Sequence, residues 1–359
     1  MSKEEANRIF AERHKIAREI YIPWMKNKFK DSRFLASTVG SFPQPQELRK
    51  ARVALRKKEI TPAAYQELVQ KHTLEWLKLQ DDLKIDLIVS GEFERQDMAV
   101  AFGEKFTNTR IEDFVKSYEN RRYRPVNYLG KVEWQEPIAL PMFQFVGENT
   151  DRFIKETITG PVTLFEWGLI GSEEYDERPE LLRADLVAVL RKEIESLIQG
   201  GVTILQVDEP AFTAKKWNIE EDWLLIQEAV RGFEEQLYLI LHICYSSEEA
   251  LDRAFPLMLQ PSFHQIHIEM ANRDYRLVKL LEKHGFGDKD IGLGVIDVHQ
   301  DRIETVEEII SGIKKVLPIV PPNRIWVTPD CGLKDRSKEV TVEKLKVMVE
   351  AAKRAREIF

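Results

Sequence analysis

The stretch Leu239-Ile240-Leu241-His242-Ile243-Cys244 is an apolar run that ends in His-x-Cys. Residues two apart on a strand point to one face, so this spacing predicts an imidazole and a thiolate side by side. That pair is half of a zinc site. The chain's other cysteine, Cys331, closes a second apolar run, Trp326-Val327-Thr328-Pro329-Asp330-Cys331. A third run, Ile266-His267-Ile268-Glu269, ends in a carboxylate. His242, Cys244, Glu269 and Cys331 thus form a candidate ligand set, with His267 as a rival because it should share the face of Glu269. Two thiolates and a carboxylate outweigh the charge of a zinc ion. Such a metal makes hydroxide poorly and suits a substrate thiol, whose pKa it lowers. The carboxylate is the weakest ligand for a borderline-soft ion, so Glu269 is the natural one to yield to sulfur. The bland alternative is buried packing residues, and strand-end clustering argues against it. A closed structural zinc usually takes four Cys or His ligands, unlike this set.

These side chains need a scaffold that gathers strand ends. Eight apolar runs, most followed by a helical-period segment, supply one: 35–41, 85–92, 158–164, 202–208, 239–244, 266–269, 291–299 and 326–331. Strands alternating with helices in this number predict a TIM (β/α)8 barrel, whose chemistry sits at the C-terminal strand ends. Ser41, Glu92, Asp208, His242, Cys244, Glu269, His299 and Cys331 all fall there. A doubly wound nucleotide fold would need a Gly-rich phosphate loop, and Gly292-Leu293-Gly294 is too short a match. Residues 1–30, with Ile9, Phe10, Ile16 and Ile20 among mixed charges, predict an N-terminal amphipathic helix ahead of a barrel domain over 31–359. Residues 93–156 form a long insertion after the second strand, with a hairpin predicted over 126–134 and its turn near Gly130.

Composition narrows the function. A formal charge of -7 leaves no basic surplus for nucleic-acid phosphates. No apolar stretch has the length of a bilayer span, and the N-terminus has no apolar signal region. Two widely separated cysteines fit metal ligands better than a disulfide. The expectation is a cytoplasmic protein with no membrane or nucleic-acid partner.

The ordered motifs resemble a family. Val39-Gly40-Ser41-Phe42-Pro43-Gln44, Gly91-Glu92-Phe93-Glu94-Arg95, Gly160-Pro161-Val162-Thr163, Asp208-Glu209-Pro210-Ala211, His242-x-Cys244, Glu269, Asp297-x-His299 and Pro329-Asp330-Cys331-Gly332-Leu333-Lys334 resemble the C-terminal catalytic domain of cobalamin-independent methionine synthases, in family order. The resemblance implies zinc-dependent methyl transfer to homocysteine, giving methionine. It implies His242, Cys244, Glu269 and Cys331 as zinc ligands and His299 as proton donor. Val39, Gly40, Ser41, Glu92 and Asp208 would bind homocysteine, with amides for its carboxylate and acids for its ammonium. Trp167 and Arg121 match methyl-donor contacts. A folate-contacting glutamate of the family is Ala214 here, and Arg122 stands where the family usually has cysteine. The shorter, single-barrel type takes methyl from methylfolate or from a methylcorrinoid such as methylcobalamin, and the latter implies a corrinoid-protein partner. Two other readings stay open. One is a zinc alkyltransferase acting on another thiol such as coenzyme M, and the other is a non-catalytic zinc-binding protein.

Overall fold

The computed structural model describes residues 33–116, 122–213 and 218–359. The helix predicted over 1–30, Arg121 and Ala214 lie outside the described residues. The strands are β1 (Leu35–Ala36), β2 (Leu87–Ile88), β3 (Thr109–Ile111), β4 (Val115–Lys116), β5 (Arg122–Tyr123), β6 (Val126–Tyr128), β7 (Phe153–Ile154), β8 (Glu156–Thr159), β9 (Leu169–Ile170), β10 (Ile204–Asp208), β11 (Tyr238–Ile243), β12 (Gln265–Ile268), β13 (Asp290–Ile296) and β14 (Ile325–Pro329). The fold is α/β. A parallel sheet in the order β1-β14-β13-β12-β11-β10-β8 curls into an open half-barrel with flanking helices. Seven of the strands thus share one sheet, in the open curl of a half-barrel. The second predicted strand, β2, is only two residues long and pairs with β7 in a separate ladder.

Contacts divide the described chain into two compact units. One holds Arg95–Pro141 and Thr157–Ile266, and the other holds residues 33–94, Met142–Glu156 and His267–Phe359.

In the first unit, every residue of β10 and β11 is buried. Strands covered on both faces need continuous apolar runs, which is why 204–208 and 238–243 read without alternation. Each fully buried Leu or Ile there contributes about 1.5–3 kcal/mol. The helix Pro179–Gln199 starts with proline in its first turn and buries Leu182, Leu186, Leu190, Ile194 and Leu197 along one stripe. It packs on the helix Ile219–Val230. Buried Glu193 on its inner side accepts from Trp134 Nε1 (2.9 Å) and from the backbone N–H groups of Ile138 (3.0 Å) and Ala139 (2.8 Å), tethering the insertion.

The insertion differs from expectation. Val126–Tyr128 pairs antiparallel with Thr109–Ile111 and parallel with Leu169–Ile170, so Gly130 turns no hairpin. Residues 131–134 form no strand beyond an isolated Phe106–Trp134 bridge. The alternation in 126–128 is real, but its partner lies earlier in the chain (Thr109 opposite Tyr128, Arg110 opposite Asn127, Ile111 opposite Val126), beyond what local spacing shows. The third predicted strand, 158–164, is also shorter. It ends at Thr159, and Pro161–Glu166 is a helix. Proline cannot donate to a strand ladder and suits the first helical turn.

In the second unit, the helix Val306–Val316 begins with a capping box between Thr305 and Glu308. The helix Lys338–Ile358 is capped by Ser337, whose side chain accepts from the Val340 N–H. Among the described residues no helix is long and apolar enough to cross a membrane.

Gly160 shows how tightly the first unit is fitted. A Cβ there would stand 2.1 Å from Glu209 Oε1. Replacing Gly160 by alanine should destabilise the protein by about 1–3 kcal/mol through overpacking. A urea titration with unchanged slope and a lowered midpoint is the expected result.

Candidate metal centre

His242 is the fifth residue of β11, and Cys244 follows the strand's last residue. Both are buried, at 3% exposure each. The parallel register sets Asp208, the last residue of β10, beside His242. Cys331 follows β14 by two residues and is half-buried. Among the described residues, one group of three or more His, Cys, Asp or Glu has its ligand atoms within 4.8 Å of one another: His242, Cys244 and Cys331. One imidazole nitrogen and two thiols are a donor set suited to zinc. Bond lengths of about 2.0–2.3 Å give ligand separations compatible with that limit.

Glu269 is placed differently. It follows β12, is buried, and is not in that group. Its Oε1 accepts from Arg273 Nε (3.1 Å) and from the Arg273 NH2 group, and its Oε2 accepts from Asn272 Nδ2 (3.1 Å). The structure thus brings together three of the four predicted ligands and ties the fourth to an arginine.

His267, the rival ligand, is committed elsewhere. Its Nε2 lies 2.9 Å from the Pro329 carbonyl and 2.7 Å from Thr328 Oγ1. A carbonyl can only accept, so Nε2 carries the proton and is no ligand atom. His267 instead pins the end of β14.

The residue before Cys331 organises this rim. Asp330 is fully buried. Its Oδ1 accepts from the N–H groups of Met270 (2.8 Å) and Ala271 (3.0 Å), and its Oδ2 from that of Asn272 (2.7 Å). Burial pushes its carboxyl up to about 8, against those three donors, which favour the charged form. The approach requires Gly294: a Cβ there would lie 2.1 Å from Asp330 Oδ1 and 3.0 Å from the Ile268 carbonyl. Sequence reasoning quoted Asp330 within a motif but gave no role to it, to Asn272 or to Arg273. The Glu269–Arg273 spacing of i,i+4 was the available signal.

The predicted homocysteine residues of the second unit also connect to Cys331. Leu333 N donates to the Ser41 carbonyl (2.8 Å), and a Cβ at Gly332 would meet Ser41 Oγ at 2.2 Å. Phe42 N donates to the Gly91 carbonyl (3.2 Å). Val39 and Gly40 are buried just before Ser41. Glu92 holds a left-handed backbone, φ +57°, rare for a non-glycine residue and a mark of strain. Its N–H donates to Ser90 Oγ (3.2 Å), and its carbonyl accepts from Gln44 Nε2 (3.1 Å). In the first unit, Asp208 Oδ1 accepts from Gln206 Nε2 (2.6 Å). Neighbouring Glu209 is buried under the helix Pro161–Glu166, accepting from the Val162 and Thr163 N–H groups (3.0 and 2.8 Å). Burial pushes Glu209 up to about 8.

His299 lies three residues beyond β13 and is exposed. Asp297 Oδ1 accepts its backbone N–H (2.8 Å), and the buried Lys344–Glu304 pair (3.0 Å) supports Asp297, whose N–H donates to Glu304 Oε1 (3.0 Å). Trp167 is half-buried at the end of its helix, its ring centroid 6.3 Å from that of Tyr123.

A family model described as "Cobalamin-independent synthase, Catalytic domain" matches residues 34–354. The chain belongs to this family. Its similarity to curated members of the cobalamin-independent synthases is close. It is 36% identical over 330 residues to the 5-methyltetrahydropteroyltriglutamate–homocysteine methyltransferase of Bacillus licheniformis, covering 89% of this chain and 42% of that protein. It is 35% identical over 359 residues to the protein of that name from Listeria innocua, covering 97% of this chain and 45% of that protein. The chain therefore spans less than half the length of these relatives. A solved B12-independent methionine synthase from Shewanella sp. W3-18-1, in complex with selenomethionine, shares the fold with a TM-score of 0.77 at 23% identity. The match covers 90% of this chain and 98% of that one.

If the Cys331 thiol is a ligand, serine in its place should lower zinc affinity by roughly 10–100-fold or more. Competition with a chromophoric chelator measures this. Full zinc retention by the Cys331→Ser variant would remove Cys331 from the site.

Proposed function

We propose that the chain is a zinc-dependent homocysteine methyltransferase that forms methionine with 5-methyltetrahydrofolate, in polyglutamate form, as donor. The observation that carries this is the His242–Cys244–Cys331 ligand group at strand ends of a cobalamin-independent synthase domain. The names of the curated relatives support both substrates. A zinc ion held there would lower the pKa of the homocysteine thiol and keep it nucleophilic.

The chain's own residues do the rest. The amides of Val39, Gly40 and Ser41 would receive the substrate carboxylate, and Glu92 and Asp208 its ammonium. The Ser41–Leu333 and Ser41–Gly332 contacts support this, because they couple the clamp to the Cys331 loop. Transfer forms the S–CH3 bond and breaks the methyl–N5 bond of the folate, whose nitrogen must take a proton. His299 would hold that proton and, being exposed, recover it from water. The Trp167–Tyr123 pair offers an aromatic face to the pterin ring. Two structural points belong to the same reading. The barrel closes to eight strands through β2, supported by the Ser37–Leu87 bridge and the β2–β7 ladder. The protein works in the cytoplasm.

A second donor has one observation in its favour. Ala214 stands at the position of the family's folate-contacting glutamate. A methylcorrinoid leaves as Co(I) without a proton, and it would call for a corrinoid-protein partner.

Zinc-loaded protein given homocysteine should form methionine from methyltetrahydrofolate, more readily from the triglutamate form. Turnover with methylcobalamin alone would replace the donor half of the reading. Activity with neither donor, or equal activity with simple thiols, would sink it. The strained Glu92 offers a sharper check. Glu92→Gly should raise stability by about 1 kcal/mol by relieving the backbone, while raising the KM for homocysteine. A variant that loses stability and keeps its KM would make Glu92 structural.

A further inference from the structure

We infer that the buried ammonium of Lys155 is the positive charge behind the homocysteine carboxylate, acting through the peptide unit that joins Thr38 to Val39. Lys155 is then a positioning and specificity residue for the amino-acid end of the substrate. The inference rests on the substrate clamp proposed above and deepens it.

Three observations carry it, all within the second unit. The first is the lysine itself. Lys155 is 3% exposed, and a charge buried so deeply needs polar partners. Its Nζ donates to the Thr38 carbonyl. That carbonyl and the Val39 N–H belong to one planar trans peptide unit and point in opposite directions. An ammonium on the oxygen polarises the unit and strengthens the N–H as a donor on the far side. The second observation is the state of the amides. None of the N–H groups of Val39, Gly40 and Ser41 finds an acceptor among the described residues, whereas the next one, Phe42 N, donates to the Gly91 carbonyl. Val39 and Gly40 are buried. Buried N–H groups are nearly always paired, so three consecutive donors of this kind point to an anion from outside the chain. The third observation is how both ends of the contact are held. The Lys155 N–H donates to the Ile88 carbonyl (2.9 Å), next to the β2–β7 ladder, and β2 leads into the turn that carries Glu92. Thr38 Oγ1 donates to Gln80 Oε1 (3.4 Å). The second unit therefore holds a cation behind the amides and a carboxylate at Glu92. That is the charge pattern a zwitterionic amino acid requires.

The test reads binding rather than turnover. Two ligands are titrated by calorimetry into the zinc-loaded full chain, Lys155→Met, Lys155→Gln and Lys155→Arg. They are homocysteine and aminopropanethiol, which is homocysteine without its carboxylate. The unaltered chain should prefer homocysteine. In Lys155→Met that preference should fall roughly tenfold or more, the loss expected when a charged partner is removed. Affinity for aminopropanethiol should change by less than about twofold. Lys155→Arg keeps the charge and should restore part of the preference. Lys155→Gln is neutral but can still donate to the Thr38 carbonyl. It covers the case in which Lys155→Met does not fold, and it should lose preference too. A folded neutral variant that keeps the full preference overturns the inference. An equal loss for both thiols does the same, because it makes Lys155 merely structural, as does a folded Lys155→Arg no more selective than the neutral variants. If the unaltered chain binds both thiols equally, or neither, the clamp reading itself falls. A clear preference that ignores Lys155 removes only the role of the lysine.

Discussion

The buried carboxylate of Asp330 is the constraint on which the metal side of the second unit depends. Among the described residues, no cation is recorded in hydrogen-bond contact with it. Instead, three consecutive backbone N–H groups, from Met270, Ala271 and Asn272, converge on it. Burial alone would cost such a group several kcal/mol, and the three donors offset much of that cost. The arrangement fixes two loops at once. Asp330 is covalently next to Cys331, and residues 270–272 follow Glu269 directly. Gly294 in β13 makes room for the approach, since any Cβ would strike Asp330 and the Ile268 carbonyl. His267 adds a second tie by donating to Pro329. Cys331, Glu269 and Arg273 therefore lie in one patch whose two loops are tied together by these backbone hydrogen bonds.

The acceptor side is built by a different device. Glu92 is held at φ +57°, with Gly91 at φ +93° before it. The pair turns the chain sharply after β2. A Cβ at Gly91 would meet the Phe93 ring at 2.5 Å, so the turn is packed as well as strained. Gln80 braces the same region from the helix Pro62–Asp82. Its Oε1 accepts from Val89 N (3.1 Å), and its Nε2 donates to the Val89 carbonyl (2.9 Å). Strain of this kind persists only where the surroundings over-determine it. Ser90, Gln44 and Gln80 supply that surrounding network.

Much of this was legible in the sequence, and the reasons differ by element. β10, β11 and β14 could be read because doubly buried parallel strands are continuous apolar runs, and their ends fall where the reactive residues are. The His242–Cys244 pairing needed only the period of a strand. The 126–128 strand was recognisable, yet its partner was not, because antiparallel pairing with 109–111 spans a segment with no turn signature. Gly160-Pro161 was readable in principle as a helix start and was hidden inside an apolar run. The second strand was read over 85–92, but its ladder with β7 was not, since a pairing two residues long leaves almost no pattern. The fate of Glu269 was illegible for another reason. Whether a carboxylate faces a metal or an arginine depends on competing side chains around one atom, and spacing alone admits both.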